Sequence, residues 1–446
     1  MINASGILNH LKFPSLRNMD SFGGLVLHTA AWDENIDIEG KRVAIVGAGA
    51  SAIQVLPAIQ SKVEHVDIYI RTPSWITPPI LESLATSKNF QYTLEEQERF
   101  KNDLDYSVKI RKEMESSSNR VLRAIIKGSR EQVELREKLE NNMKALIKDP
   151  ELQELLIPKF EVGCRRLSPG EPYLQALQSP KVTPIFGDIE AIRPEGLVAG
   201  GKVRPADTII LATGFDTSFR PRFPIVGQGG IDLRDLWKTE PVAYCGLAVS
   251  GFPNYLIFLG PNTPISNGSL MGTLEITADY FVRIIKKLVH EDALWFNVRP
   301  EVQADFDGHT QMTMEKMVWS GKCNSWFKNE HGKVIALWPG SSLHYREFLE
   351  SDRWEDFEWR YKGNRFAYWG QGFAKIEHDP DADLAYYLKP QNPLPLEAYY
   401  SSAKGSVGSS KIPVQFFVPS LDDSTGGDGA NSDGFRRPSG SQSHES

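Results

Sequence analysis

Two kinds of apolar spacing follow one another early in the chain. Lys41 to Gly47 is a nearly unbroken apolar run bounded by glycines, too short for a helix and suited to a strand buried on both faces. Ser51 to Gln60 carries apolar residues at helical spacing, and His65-Val-Asp-Ile-Tyr-Ile-Arg71 is a second short strand. Strand, helix and strand in so short a stretch predict a βαβ unit, and with it a parallel α/β sheet. The intervening turn is Gly47-Ala48-Gly49-Ala50-Ser51-Ala52. Gly47 permits the tight turn, Gly49 lets backbone approach a pyrophosphate, and Ala52 allows close contact between helix and strand. The helix N-terminus then offers unpaired N–H groups to phosphates. The second strand ends in Arg71-Thr72, where an NAD site would place Asp or Glu. A carboxylate repels a 2′-phosphate and a guanidinium attracts it, so the pattern favours NADPH.

Further along, the pattern turns polar and helical. Thr93-Leu-Glu-Glu96 has the form of a capping box, Leu135, Leu139, Met143 and Leu146 recur at helical spacing, and Asp149-Pro150 is a helix start. Residues 83–157 are therefore expected to be a helical insertion with a charged, solvated face. Val182 to Phe186 and a glycine-containing turn region, Gly196 to Ala206, lead into the buried strand Asp207-Thr-Ile-Ile-Leu and the turn Thr213-Gly214-Phe215-Asp216. Pro253 to Asn262 is expected to be another buried strand. A helix from about Leu274 would place Phe281, Ile285 and Leu288 on one face. Trp326, Trp338, Trp354 and Trp359 mark a further folded region. From about Ser401 the chain is rich in Gly, Ser and Asp, which predicts a disordered tail.

Composition narrows the classes. The chain has 446 residues, 41% hydrophobic and 24% charged, enough for two or three cores, and its net charge of -7 gives no electrostatic reason to expect nucleic acid or an anionic membrane. Cys164, Cys245 and Cys323 are far apart without C-x-x-C spacing, so neither a disulfide framework nor a metal site is expected. No long apolar run and no signal-peptide pattern is present at Met1, which leads to an expected cytoplasmic location.

One string is more specific than all of these. Phe22-x-Gly24-x-x-x-His28-x-x-x-Trp32-Asp33, just ahead of the glycine turn, resembles the fingerprint of Baeyer-Villiger monooxygenases, a branch of the class B flavoprotein monooxygenases. Further segments resemble that family in order. Gly47-Ala-Gly49-Ala-Ser51-Ala52-Ile53-Gln54 resembles its NADPH turn, and Arg71-Thr72-Pro73-x-Trp75 the strand end holding the adenosine phosphate. Gly163-Cys164-Arg165-Arg166 resembles its Gly-x-Lys-Arg element, Ala212 to Asp216 its interdomain linker, and Asn324-Ser325-Trp326-Phe327 a loop whose tryptophan touches the nicotinamide cofactor.

The resemblance implies a two-dinucleotide-binding-domain, Rossmann-like flavoprotein using FAD, NADPH and O2 to convert a small-molecule ketone to an ester or lactone. Arg166 would be the catalytic arginine, with His28 as a second site residue acting through a linker that couples domains, and Trp32 as an anchor beneath it. Cofactor binding would fall to Gly47, Gly49, Ser51, Ala52, Gln54, Arg71, Thr72, Arg165, Asp216 and Trp326. In the family a first Rossmann unit for FAD precedes all of these segments. Here only Ala4-Ser5-Gly6, followed by Pro14, resembles that unit's closing strand, so the expectation is an N-terminally incomplete flavoprotein. The expected organisation is 1–39 for the FAD-domain remnant and linker, 40–82 and 158–213 for the NADPH domain, 83–157 for the insertion, 214–400 for the rest of the FAD domain, and 401–446 for the tail. An N- or S-oxidising flavin monooxygenase, or a non-catalytic dinucleotide-binding relative, stays open as an alternative.

Overall fold

The computed structural model describes residues 1–78, 92–265 and 268–388. Its centre is a five-stranded, fully parallel sheet. In chain order the strands are β1 (Leu25–His28), β2 (Arg42–Val46), β3 (His65–Ile70), β4 (Val182–Phe186) and β5 (Thr208–Leu211), and their spatial order is β1-β5-β2-β3-β4. Helix α1 (Ala50–Ile59) crosses from β2 to β3. Alternation along each strand divides the core. Val43, Ile45, Val66, Ile68, Ile70 and Ile210 face α1 and the insertion residues Leu139 and Met143. Ala44, Val46, Tyr69, Ile209 and Leu211 face the opposite side, where Ile192, Leu197 and Ala199 cover them. These last residues belong to an antiparallel meander, Ala191–Arg193, Gly196–Ala199 and Lys202–Pro205, rather than to the expected turn region.

Several expected elements take their places. Thr93 and Glu96 cap each other at the start of Leu94–Asn102, Asp149 caps Pro150–Leu156, and Arg130–Leu146 buries Leu139 and Met143. Others differ. The run from Pro253 to Asn262 holds only a two-residue strand, Leu256–Ile257, which pairs in parallel with Ile2–Asn3. Asn254, Leu259 and Asn262 have positive φ, and each interrupts extension. The long helix is Leu270–His290, and its buried stripe is Thr273, Ile276, Thr277, Tyr280, Phe281 and Ile284. Ile285, expected on that face, is exposed.

That helix packs with Ser342–Glu350 and the antiparallel pair Ala293–Val298 and Phe357–Tyr361 around a second core rich in aromatic rings. Asp356 is buried there. It accepts from Arg353 Nε at 2.6 Å, from Arg353 Nη2 at 3.1 Å and from the Tyr244 hydroxyl. A buried carboxylate is tolerated only with such partners. Residues Gly372–Ser446 form a separate unit, described as far as 388 and including the short turn Lys375–His378. The expected tail from Ser401 lies outside the described residues. Among the described residues no helix is long and apolar enough to cross a membrane.

Candidate functional site: a dinucleotide cleft joined to an arginine loop

The chain leaves β2 toward β3 on one side while β5 pairs with β2 on the other, so the strand order switches between β2 and β5, and the carboxyl ends at such a switch are the usual ligand position in an open α/β sheet. Gly47 closes the turn there. Its φ is +121°, and a Cβ on it would lie 2.5 Å from the Ala212 carbonyl oxygen at the end of β5. Gly49 precedes α1, and a Cβ placed there would meet nothing within 4 Å. Open space at the first turn of α1 is what a close-approaching phosphate requires. Ala52 is wholly buried under the helix, Ser51 is half-buried, and the exposed Gln54 donates from Nε2 to the Ala50 carbonyl at 3.1 Å. Ser74 Oγ donates to the Ala48 carbonyl at 2.8 Å, pinning the turn from the segment after β3, a role the sequence did not suggest.

Beyond β3 the chain is held against the loop carrying Arg165 and Arg166. Ile76–Thr77 pairs in parallel with Ser168–Pro169. Trp75, buried, donates from Nε1 to the Phe160 carbonyl at 3.0 Å. Arg165 donates from Nη1 to the carbonyls of Thr72 at 3.3 Å and Pro73 at 3.2 Å. Burial, and then the nearby Arg71 charge, push the Arg165 guanidinium below its ordinary value. Among the described residues no carboxylate pairs with Arg71, Arg165 or Arg166. Like charges gathered without a counter-ion cost free energy unless an anion joins them, so this pair has the chemistry of a phosphate cradle. Arg166 is exposed.

A second loop closes on the first through a bond that the cysteine spacing did not indicate. Cys164 and Cys323 form a disulfide, Cα to Cα 6.2 Å, across a sequence separation of 159. Distance along the chain had hidden a contact that the fold makes. The available signal was position: Cys164 lies within one motif and Cys323 immediately before another, both assigned to the same cofactor. Gly321 packs close to Glu161 and to the Cys164 sulfur, and Lys328 Nζ donates to the Gly321 carbonyl at 2.6 Å. Trp326 is half-buried, 4.7 Å from the Phe327 ring centre. Among the described residues no cluster of His, Cys, Asp or Glu could hold a metal ion.

His28 lies elsewhere, at the end of β1, where two linkers meet. Its Nδ1 accepts from the Ala30 N–H at 3.1 Å, so the proton belongs on Nε2. Nε2 is buried within reach of the Gly214 and Lys12 carbonyls, with no well-aligned bond to either. Burial lowers the imidazole pKa and those carbonyls partly restore it. Lys12 N–H donates to the Gly214 carbonyl, Thr213 Oγ1 donates back to the Lys12 carbonyl, and the His28 ring touches Phe13 and Phe215. Trp32, the expected anchor, is 38% exposed, because the chain turns outward after Ala31. Gly24 has no room for a side chain against the Asp207 carbonyl and the Phe22 ring. Asp216 is half-buried and accepts from the Ser218 N–H at 2.9 Å and Arg222 Nη1 at 3.3 Å. Burial opposes its ionisation, but these bonds prevail and hold its pKa below the usual carboxylate value.

No protein-family model matches the chain. It is 38% identical over 397 residues to the FAD-binding monooxygenase tazF of Aspergillus terreus, covering 87% of this chain and 71% of that protein. It is 31% identical over 351 residues to a Baeyer-Villiger monooxygenase of Streptomyces coelicolor, covering 78% and 66%. The chain spans 59 to 71% of the length of the fungal FAD-binding monooxygenases tazF, moxY, stcW and ktnD. In three dimensions it is similar to cyclohexanone monooxygenase from Rhodococcus sp. Phi1 bound to NADP+. The TM-score is 0.69 and the identity 23%, over 81% of this chain and 74% of that one, a likeness of fold.

Proposed function

This chain belongs to the FAD-binding monooxygenases of Baeyer-Villiger type, and we propose that it binds NADPH in the cleft after β2 and serves flavin-dependent transfer of one oxygen atom from O2 to a ketone, forming an ester or lactone. The observation that carries this reading is the Arg71 and Arg165 pair, free of carboxylates among the described residues, beside a glycine turn with open space at Gly49. These residues fit NADPH. Backbone N–H groups at the start of α1 would receive the pyrophosphate, Arg71, Thr72 and Arg165 the 2′-phosphate, and Trp326 the nicotinamide end. Ser51, Ala52, Gln54 and Asp216 complete the cofactor-binding set. FAD enters from family membership alone. Among the described residues one strand, glycine turn and helix unit of this kind is present; it fits one dinucleotide, and they offer no second such unit for the flavin.

In this reading Arg166 supplies a cation for negative charge developing at the reacting oxygen atoms. His28 holds the Lys12 and Gly214 linkers together and moves no proton in the reaction. A ketone-bearing secondary metabolite is the substrate class, and a cytoplasmic location, where NADPH is regenerated, belongs to the same proposal.

The decisive test concerns the 2′-phosphate. Arg71→Ala should weaken NADPH binding by about 10- to 100-fold, the value of one or two charge-assisted hydrogen bonds, and leave NADH within about twofold. Equal loss for both cofactors would refute the assignment. Separately, Arg166→Ala should abolish ketone oxygenation while NADP+ still binds in titration calorimetry; ordinary turnover by that variant would remove its role.

A further inference from the structure

We propose that Cys164 and Cys323 are positioning residues, and that their disulfide sets the arginine loop and the tryptophan loop at a fixed spacing around the nicotinamide end of the bound cofactor. This inference rests on the functional reading above. Cys164 precedes Arg166 by two residues, and Cys323 precedes Trp326 by three. Neither loop contains regular structure where it carries these groups: residues 161–167 and 321–327 form no helix and no strand. Such segments open at low cost unless something restrains them.

The restraint is unevenly distributed. Arg165 has its own anchors in the Thr72 and Pro73 carbonyls. Arg166 and Trp326 have no side-chain hydrogen bond or ion pair of their own among the described residues, and Arg166 is exposed. The placement of Arg166 therefore depends on the backbone that carries it, while Trp326 has only its packing against the apolar cluster of Trp319 and Phe327 besides its backbone. Gly163, at φ +87°, would bring a Cβ to 3.4 Å from Val318, and Lys328 holds the Gly321 carbonyl, so the loops already lie in contact. The disulfide converts that contact into a fixed distance. Its sulfurs are buried, Cys164 wholly and Cys323 at 6% exposure, so the tie is covered while Arg166, which it positions, is exposed.

A dithiol such as dithiothreitol reverses the tie. The S–S bond breaks, each cysteine sulfur takes one hydrogen from the reagent, and the reagent closes to its own cyclic disulfide. Lys328 Nζ, 3.8 Å from the Cys323 sulfur, stabilises a thiolate there once the bond is cut.

The test uses the full chain. Isolated without reductant and denatured, it should titrate one free thiol, Cys245, and three after reduction. Two ligands then separate the ends of the cofactor: 2′,5′-ADP reports the Arg71 and Arg165 cradle, and NADP+ reports both ends. In Cys164→Ser/Cys323→Ser, NADP+ should bind at least about tenfold more weakly while 2′,5′-ADP stays within about twofold, a difference of about 1.4 kcal/mol confined to the nicotinamide end. Reduced wild-type protein should show the same split, and reoxidation with oxidised glutathione should restore NADP+ affinity. This second arm decides the matter if the double variant does not fold. Three free thiols without reductant, unchanged NADP+ affinity after bond cleavage, or equal loss of both ligands would each overturn the inference. Failure of the untreated protein to bind 2′,5′-ADP would instead sink the dinucleotide reading, and this inference with it.

Discussion

His28 is a histidine whose surroundings argue against acid-base chemistry. One ring nitrogen accepts from its own turn and the other is buried against backbone carbonyls, so its proton has no route to a reacting atom. It contributes instead to stability, and the sign can be worked out. Burial holds its folded-state pKa below the ordinary 6.5, so the unfolded chain binds the proton more readily. The stabilisation is complete above the unfolded value and is lost as pH falls from 6.5 toward the folded value. The melting temperature should therefore rise between pH 5.5 and 7.5, and His28→Gln should flatten part of that rise. An identical slope in the variant, measured by calorimetry, would show that His28 takes no part. Arg165 is the converse case: a half-buried guanidinium is kept beside Arg71 because the Thr72 and Pro73 carbonyls compensate it before any ligand arrives.

At the scale of elements, what was legible in the sequence is what depends on local chemistry. β2, α1 and β3 were foreseen within a residue or two because an apolar run, a helical stripe and two glycines each act over a few neighbours. The caps at Thr93 and Asp149 were legible for the same reason. The segment from Pro253 to Asn262 was not. Its apolar content suits a strand, but positive φ at Asn254, Leu259 and Asn262 serves tertiary bonds that no local pattern announces. Asn262 Nδ2, for instance, donates to the carbonyls of Val334 at 3.0 Å and Leu337 at 2.9 Å. Ile285 was misplaced by one step of the helical stripe, because Tyr280 and Ile284 turn toward the second core and carry Ile285 out. The site divides in the same way. Its glycine turn and arginines were readable as motifs, whereas Ser74 and the cysteine pair act across long separations and became visible only when the loops met.

For the whole molecule, the disulfide is one of several links between the segment from Ile125 to Arg166 and the region from Met314 to Leu337. Ile125 packs in one apolar cluster with Met314, Met317, Val318, Trp319 and Phe327. Lys127 Nζ donates to the Glu315 carbonyl at 3.0 Å and to Ser320 Oγ at 2.8 Å. The covalent bond differs from the others in acting on the unfolded chain. Closing a loop with a separation of 159 residues removes conformations worth about 5 kcal/mol in the chain-entropy model, and measured bonds more commonly give about 2–4 kcal/mol. Reduction should therefore lower the melting temperature by several degrees, because the apolar cluster and Lys127 must then hold the two regions together unaided. If stability came only from native contacts, Cys164→Ser/Cys323→Ser would unfold faster with little change in refolding rate. A tie that restricts the unfolded ensemble predicts slower refolding as well, whenever the two loops meet in the transition state. Calorimetry with and without dithiol, with bond cleavage verified by mass after alkylation, measures the first quantity. An unchanged melting temperature in fully reduced protein would mean that the apolar cluster and Lys127 alone set the stability of this junction.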